Sequence, residues 1–202
     1  MSDSIVRNYI AHIVRWKSII LNAKRMKMFI ISEQILKKGC SLMKLKRVWL
    51  MSGLPGSGKS TWVKQQIAEK GGIWCSRDAM RFSMVRENEP YFERENEVFN
   101  AWISQICDAL NNPLVEDIYI DATHLNDKSR EKTLSRLPKD NIGEITNVIF
   151  TTPVKVCLER NKMRTGRAVV PDEVILNMAK SFKDARKHKT IFVNERGETF
   201  EW

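Results

Sequence analysis

The stretch Gly53-Leu54-Pro55-Gly56-Ser57-Gly58-Lys59-Ser60-Thr61 matches the pattern G-x-x-x-x-G-K-[ST] in full. It stands between an apolar run at 48–51 and a helical pattern at about 60–70, which is the strand, turn and helix setting that the pattern requires. Its glycines allow the backbone to wrap around a phosphate, while N–H groups and the helix N-terminus supply partial positive charge. The sequence therefore predicts a loop that binds the phosphates of a nucleoside triphosphate, which we take to be ATP.

Two side chains at this loop are expected to contact the metal ion and the phosphates. Lys59 should reach the β- and γ-phosphates, and the Ser60 hydroxyl should bind Mg²⁺. A second metal-side group is needed, and Asp121 follows an apolar run at 117–120, at the sheet edge where open parallel sheets bind ligands. Alternatively, Asp121 only turns the chain or caps the next helix. We therefore expect ATP and Mg²⁺ as cofactors, with Ser60 and Asp121 at the metal.

Beyond the loop, short apolar runs alternate with helical patterns, which is typical of βαβ units around a parallel sheet. Strands are predicted at 48–51, 73–75, 117–120 and 145–150. Helices are predicted at 60–70, 77–86, 90–110, 127–137, 153–163 and 171–188, and a closing hairpin at 190–202. The predicted fold class is α/β, a three-layer P-loop domain with a parallel sheet that occupies residues 43–202.

Composition excludes several classes of protein. The chain has 202 residues, of which 43% are hydrophobic and 29% charged, and no apolar run approaches the roughly 18 to 20 residues of a membrane-spanning helix. A disordered chain and a membrane-spanning protein are thereby excluded. The four cysteines are far apart and form no C-x-x-C pair, which argues against a zinc site or a disulfide scaffold and predicts a cytoplasmic location.

The net charge of +10 is concentrated near the N-terminus, because residues 1–42 carry eight basic and two acidic side chains. Apolar residues recur there at helical spacing, so residues 1–42 are predicted to be a basic helical extension. Three roles remain open: a basic arm for nucleic acid or a membrane surface, a helical cap on the core, or a dispensable extension. Residues 43–202 keep only +4, so net charge does not identify the partner.

Two residues after the second predicted strand could act on a substrate. Asp78 and Arg81 lie three residues apart on a predicted helix and share a face. The carboxylate could accept the proton of an attacking hydroxyl, and the guanidinium could clamp a substrate phosphate. Alternatively, Asp78 caps the helix and Arg81 is solvated.

The residues that follow Asp121 are small and polar. Thr123 is a candidate for a substrate contact, although Thr123 and Asn126 could equally cap the helix that begins near Asp127. A single histidine without a visible partner is more often structural or solvent-facing than catalytic, so His124 is predicted to have one of these two roles and not that of a base.

Three arginines form the last candidate group. Arg160, Arg164 and Arg167 recur at i, i+4 and i+7, which would place them along one face if the helix continues. Gly166 and Pro171 predict a bend, so the segment could close as a lid and bring arginine to a transferring phosphoryl group. The alternative is a solvated basic face.

Four separated motifs, GLPGSGKSTW, SRDAMR, IDATHLN and ERNKMRTGRAVVP, together resemble the kinase domain of bacteriophage-type polynucleotide 5′-kinases. The resemblance spans roughly 46–187 and implies an adenylate-kinase-like P-loop core with a helical lid and a tunnel for single-stranded ends. It implies transfer of the γ-phosphate of ATP to the 5′-hydroxyl of an RNA or DNA end in nucleic-acid repair, in a host cytoplasm if the gene is a phage's. The D-x-D-G-[TS] motif of the family's phosphatase domain is absent from the sequence, so no 3′-phosphatase activity is expected.

By position, the resemblance also implies roles for single residues. Asp78 would activate the 5′-hydroxyl, Arg81 would hold the 3′-phosphate of the acceptor, and Arg164 would stabilise the transferred phosphoryl group. Arg160 would lie nearby at ATP, and Arg167 would lie on the substrate side. Two alternatives stay open: a kinase for a small molecule such as a nucleoside, a nucleotide or an antibiotic, and an ATPase switch that binds nucleic acid.

Overall fold

The computed structural model describes residues 45–183 and 187–201, so the predicted basic extension at 1–42 lies outside the described residues. Within this part of the chain, strands form one sheet in the order β2-β3-β1-β4-β5-β6. They are β1 (Lys46–Ser52), β2 (Ile73–Ser76), β3 (Asp117–Asp121), β4 (Ile142–Phe150), β5 (Lys189–Val193) and β6 (Thr199–Phe200). Strands β1 to β5 pair in parallel, and β6 pairs with β5 in the antiparallel sense.

Helices connect the parallel strands, as the alternating pattern predicts. They are α1 (Lys59–Lys70), α2 (Arg77–Met84), α3 (Glu95–Asn111), α4 (Asp127–Leu134), α5 (Val154–Lys162) and α6 (Asp172–Ser181). Short 3-10 turns lie at Lys139–Asn141 and Gly166–Ala168. Across the described residues, no helix is both long and apolar enough to cross a membrane.

Alternating side chains of the central strand build a core on each face of the sheet. Val48 and Leu50 of β1 belong to the same buried cluster as Trp102 of α3. Met51, which points the other way, lies in a second cluster with Trp62 of α1. Helices therefore cover both faces of the sheet, and the predicted three-layer α/β P-loop fold is confirmed.

One helix begins later than its apolar stripe predicts. The prediction places its start near Pro90, but α3 begins at Glu95. Residues before it form turns, in which the Arg94 guanidinium donates a hydrogen bond to the carbonyl oxygen of Met84 at 2.9 Å. The difference matters because these turns carry side chains of the candidate site.

The C-terminal part also differs in one element. The helix predicted to reach about His188 ends at Ser181, and the Lys183 amide donates to the Leu125 carbonyl oxygen at 2.8 Å instead of continuing the helix. The predicted hairpin is present, with β5 and β6 joined by a turn in which the Gly197 amide donates to the Asn194 carbonyl oxygen.

The sheet topology places the candidate site residues at one edge. Ser52 ends β1, and in the adjacent pair Ser76 of β2 lies in register with Asp121 of β3. The first residues of α2 follow directly after Ser76. The candidate phosphate loop, Asp121 and Asp78 are therefore brought to the carboxyl edge of the parallel strands.

Candidate active site

The phosphate loop is shaped by glycines that no other residue can replace without strain. Gly56 and Gly58 have positive φ angles of 82° and 98°. A Cβ atom on Gly56 would lie 2.5 Å from the carbonyl oxygen of Cys157 in α5. The close packing of the loop on α5 thus requires glycine at this position.

The same loop has donors that fit a phosphate group. The 12-residue helix α1 starts directly after Gly58, and no side chain caps its N-terminus. The Ser57 hydroxyl is buried and has no hydrogen-bond partner among the described residues. Uncapped N–H groups and an unpaired hydroxyl suit an anion with several acceptor oxygens.

Lys59 lies at the centre of the charged groups of the site. Its ammonium donates hydrogen bonds to the carbonyl oxygens of Gly53 and Leu54 at 2.9 and 2.8 Å. Burial lowers the pKa of Lys59, Asp121 and Asp78 oppose this shift, and Arg164 adds to it. The pKa of Lys59 therefore depends on Asp121, Asp78 and Arg164, the side chains predicted at the metal, the acceptor and the lid.

Asp121 accepts two hydrogen bonds on one oxygen. Its Oδ2 atom accepts from the Ser60 hydroxyl at 3.1 Å and from the Trp74 indole nitrogen at 3.1 Å. Burial raises the pKa of Asp121, whereas Lys59 and the two hydrogen bonds lower it. A carboxylate beside a hydroxyl is a donor set that suits Mg²⁺, so these residues fit the predicted metal position.

Asp78 lies in the first turn of α2 but is not its cap. Ser76 has that role, because its hydroxyl accepts a hydrogen bond from the Ala79 amide. The Asp78 side chain is 66% exposed. Its Oδ1 atom accepts from the Arg81 guanidinium at 2.6 Å and from the Tyr91 hydroxyl at 3.1 Å. Asp78 is therefore an oriented carboxylate that solvent or a substrate can reach.

Arg81 differs from the predicted phosphate clamp. It is only 4% exposed, and besides Asp78 its guanidinium donates to the Tyr91 hydroxyl at 3.0 Å and to Glu95 Oε2 at 2.8 Å. Glu95 also pairs with Arg77. Because its terminal nitrogens donate to Asp78, Tyr91 and Glu95, this guanidinium holds Asp78 in place, while its buried Nε has no hydrogen-bond partner among the described residues.

The three arginines after β4 do not share one helical face. Helix α5 ends at Lys162, and Arg167 falls in the separate 3-10 turn Gly166–Ala168. The glycine at the start of that turn has a φ of 58°, which breaks the helical path as its position predicts. The condition for a shared face, a helix that continues to Arg167, is therefore not met, and the predicted bend is present.

Each arginine has its own surroundings. Arg160 donates to the Glu195 carbonyl oxygen at 2.7 Å, whereas Arg164 makes only a long contact of 3.3 Å with the Ala168 carbonyl oxygen. Arg167 donates to the carbonyl oxygen of Val85 at 2.5 Å, after the end of α2. Arg167 therefore joins the lid segment to α2, which differs from the predicted direct contact with substrate.

A cavity of about 430 Å³ opens beside the phosphate loop. Its wall is formed by the loop, the start of α1, two of the three arginines and the β5–β6 turn. Its lining residues include Gly58, Lys59, Thr61, Arg160, Arg164 and Glu195. The cavity is large enough for the nucleoside part of a nucleotide whose phosphates lie in the loop.

Thr123 and His124 are bound into the framework of the site. The Thr123 carbonyl oxygen accepts a hydrogen bond from the Gly53 amide at 3.0 Å, so its backbone supports the phosphate loop. Asn126 caps α4, which the alternative interpretation of this segment predicts.

His124 is buried, and its two ring nitrogens both have partners. Its Nδ1 lies 2.8 Å from the Met51 carbonyl oxygen and must donate to it, because a carbonyl oxygen can only accept. Its Nε2 then accepts from the Thr133 hydroxyl at 3.1 Å. The predicted structural role of His124 is consistent with these contacts.

His124 makes stability depend on pH in a predictable direction. Burial lowers its pKa from 6.5 to about 4, so the unfolded chain binds more protons between these values. The stabilisation is present above about pH 6.5 and is lost as the pH falls toward 4, with about 2 kcal/mol lost by pH 5. In urea unfolding at pH 8 and pH 5, His124→Asn should lose less stability than the unchanged protein. Equal losses in both proteins would contradict this assignment.

Three residues that contact the site side chains are not predicted from the sequence. The Trp74 indole donates a hydrogen bond to Asp121, and the Tyr91 hydroxyl donates one to Asp78. The Glu195 carbonyl oxygen, in the β5–β6 turn, accepts one from Arg160. The aromatic pair at 91–92 inside an acidic stretch is the one available signal, but the prediction assigns it to a helix. Trp74 and Glu195 are distant in sequence from the residues that they contact, and the sheet order brings them together.

A family model described as an AAA domain matches residues 48–185. The chain belongs to this family. The match covers all of the candidate site residues, from the phosphate loop to the lid segment. Together with the sheet order and the phosphate loop, it identifies the domain as a P-loop kinase fold.

Solved structures with a similar fold include two kinases and a chain of an RNA repair complex. A sugar kinase from Janibacter sp. HTCC2649 has a TM-score of 0.51 at 17% identity, over 76% of this chain and 87% of that one. A gluconokinase from Sinorhizobium meliloti 1021 has a TM-score of 0.50 at 19% identity, over 75% and 83%. A chain of the Pnkp1/Rnl/Hen1 RNA repair complex has a TM-score of 0.58 at 21% identity, over 68% of this chain but 44% of that one. At these identities the likeness establishes the fold and leaves the acceptor open.

Proposed function

We propose that this chain is a polynucleotide 5′-hydroxyl kinase, which transfers the γ-phosphate of ATP to the 5′-hydroxyl of an RNA or DNA end. The observation that carries the proposal is the carboxyl edge of the parallel strands, where Ser60 of the phosphate loop donates to Asp121 at 3.1 Å and Asp78 follows two residues after Ser76, which is in register with Asp121. Positive groups at a phosphate loop suit ATP, and an exposed, oriented carboxylate opposite them suits a hydroxyl acceptor.

The nucleotide would be held by the backbone N–H groups of the phosphate loop, by Lys59 and by the arginines of the cavity wall. Ser60 and Asp121 would hold Mg²⁺, directly or through its waters. The bound ion would supply positive charge to the phosphate oxygens and orient the γ-phosphoryl group. Trp74 would keep Asp121 aimed at that position through its hydrogen bond to Oδ2.

Asp78 would act as the general base toward the acceptor. Its carboxylate accepts the proton of the 5′-hydroxyl while the oxygen forms a bond to the γ-phosphorus. The bond from this phosphorus to the bridging oxygen breaks, and ADP leaves with the electron pair. Arg81 and Tyr91 hold the carboxylate oxygen Oδ1, so that the other oxygen can face the hydroxyl.

The choice of a nucleic-acid acceptor is supported by the four motifs in their family order and by the RNA repair chain with a similar fold. It is also supported by the aromatic rings near Asp78, where Phe82, Tyr91 and the exposed Phe92 pack on one another. Such rings suit an acceptor whose bases offer flat faces.

A second candidate is a kinase for a small polyhydroxylated molecule. The buried guanidinium of Arg81 favours it, because both terminal nitrogens already donate to protein groups and an acceptor without a phosphate would not need that clamp. Two of the similar folds are named a sugar kinase and a gluconokinase.

The proposal is tested with γ-labelled ATP, Mg²⁺ and matched RNA and DNA oligonucleotides that carry either a 5′-hydroxyl or a 5′-phosphate. We expect label on the 5′-hydroxyl oligonucleotides and none on the 5′-phosphate controls. Lys59→Ala should abolish the transfer under the same conditions. ATP hydrolysis that no 5′-hydroxyl end converts into transfer would contradict the proposal and favour an ATPase switch.

A further inference from the structure

Three aromatic rings form a connected cluster next to Asp78. Phe82 and Tyr91 pack edge to face with their centroids 6.2 Å apart, and Tyr91 and Phe92 do the same at 4.8 Å. The Arg81 guanidinium lies 4.6 Å from the Tyr91 ring and 5.5 Å from the Phe92 ring. We call Phe82, Tyr91 and Phe92 the acceptor-side aromatic cluster.

The cluster is tied directly to the candidate base. The Tyr91 hydroxyl donates to Asp78 Oδ1 at 3.1 Å, and Arg81, which contacts two of the rings, donates to the same oxygen at 2.6 Å. A ligand whose hydroxyl reaches Asp78 would therefore come close to the exposed end of this cluster.

Phe92 is that exposed end. Its side chain is 63% exposed, although phenylalanine gains free energy by burial. Edge-to-face packing on Tyr91 and the nearby guanidinium hold the ring in place from one side. One exposed apolar side chain is ordinary on a protein surface. Here the ring is oriented by its neighbours and packs on Tyr91, whose hydroxyl donates to Asp78, so it belongs to the acceptor side of the site.

We propose that Phe92 stacks on the nucleobase of the 5′-terminal nucleotide of the acceptor. This inference rests on the proposed polynucleotide kinase function and adds the residue that recognises the acceptor as a nucleotide. Every base has a flat π-face, so stacking holds any terminal base without reading its sequence. A sugar or gluconate offers no such face, so the contact also separates nucleic acid from small polyhydroxylated acceptors.

The direct test measures the KM for a 5′-hydroxyl oligonucleotide in Phe92→Ala. Loss of one base–aromatic stack should raise this KM about 5- to 100-fold. The KM for ATP should stay the same, since Phe92 contacts no part of the phosphate loop. Phe92→Tyr and Phe92→Trp should restore the acceptor KM, whereas Phe92→Leu should not. Leu114→Ala is the control, because Leu114 is an apolar side chain that is 92% exposed.

A second arm removes the base instead of the ring. An oligonucleotide with an abasic 5′-terminal position should have the same KM with the unchanged protein and with Phe92→Ala. An acceptor KM that Phe92→Ala does not change would overturn the inference while leaving the kinase function intact. Rescue by Phe92→Leu would also overturn it, since apolar area without a π-face would then suffice. If the unchanged protein transfers phosphate to no oligonucleotide, the proposed function fails as well.

Discussion

Asp78→Asn should lower the kcat for transfer to a 5′-hydroxyl by about 10²- to 10⁴-fold, the range for loss of a general base. The amide has nearly the same shape and can still accept the hydrogen bonds of Arg81 and Tyr91 at its oxygen. It cannot accept the proton of the hydroxyl. ATP affinity, measured by equilibrium binding, should stay within about twofold, because Asp78 lies on the acceptor side of the site.

The matched control for this variant is Asp108→Asn. Asp108 is an exposed aspartate on α3, and it should tolerate the same chemical change without loss of transfer. Full activity of Asp78→Asn would remove Asp78 from the mechanism. Equal losses in Asp78→Asn and Asp108→Asn would point to a general effect of lost charge instead of base catalysis.

Arg164→Ala should lower kcat by about 10³-fold, which is the lower end of the range for an arginine that stabilises a transferring phosphoryl group. Arg164 lines the cavity beside the phosphate loop and contributes to the field at Lys59. Its guanidinium makes a long hydrogen bond of 3.3 Å to the Ala168 carbonyl oxygen. This guanidinium can therefore turn toward developing negative charge at little cost.

Arg160→Ala is the informative comparison, because Arg160 lies one helical turn earlier. Arg160 is held by the Glu195 carbonyl oxygen and, at 3.5 Å, by the Gly56 carbonyl oxygen. Its loss should loosen the β5–β6 turn and raise the KM for ATP about tenfold, with kcat largely kept. A large fall in kcat for Arg160→Ala with none for Arg164→Ala would reverse these two assignments.

The fold could be predicted because its signals are local. Short apolar runs indicate the strands, and apolar residues at helical spacing indicate the helices. The Gly-rich turn indicates that the apolar run before it is the strand that leads into the phosphate loop. Asp121 could also be located, since residues at the carboxyl ends of parallel strands meet at one edge. The Ser60 hydroxyl lies within hydrogen-bond distance of its carboxylate, and the metal role of the two side chains stays a prediction.

The remaining part of the site depends on contacts between distant segments. The spacing of Asp78 and Arg81 indicates a shared face, but it does not reveal that Glu95, in the next helix, would engage the same guanidinium. The three arginines have helical spacing, yet α5 ends at Lys162 and Arg167 lies in the turn Gly166–Ala168, a break that Gly166 and Pro171 predict. Long-range packing decides the case of Arg81, and a single sequence carries no direct signal for it.

The chemical class of the acceptor can be determined by comparing how efficiently different acceptors are phosphorylated. The specificity constants kcat/KM would be compared for a 5′-hydroxyl RNA oligonucleotide, its DNA counterpart, a mononucleoside and gluconate, all at the same ATP and Mg²⁺ concentrations. The proposed function predicts that at least one oligonucleotide exceeds both small molecules by about 10²-fold or more. A value for gluconate or the nucleoside that equals or exceeds those of both oligonucleotides would contradict it.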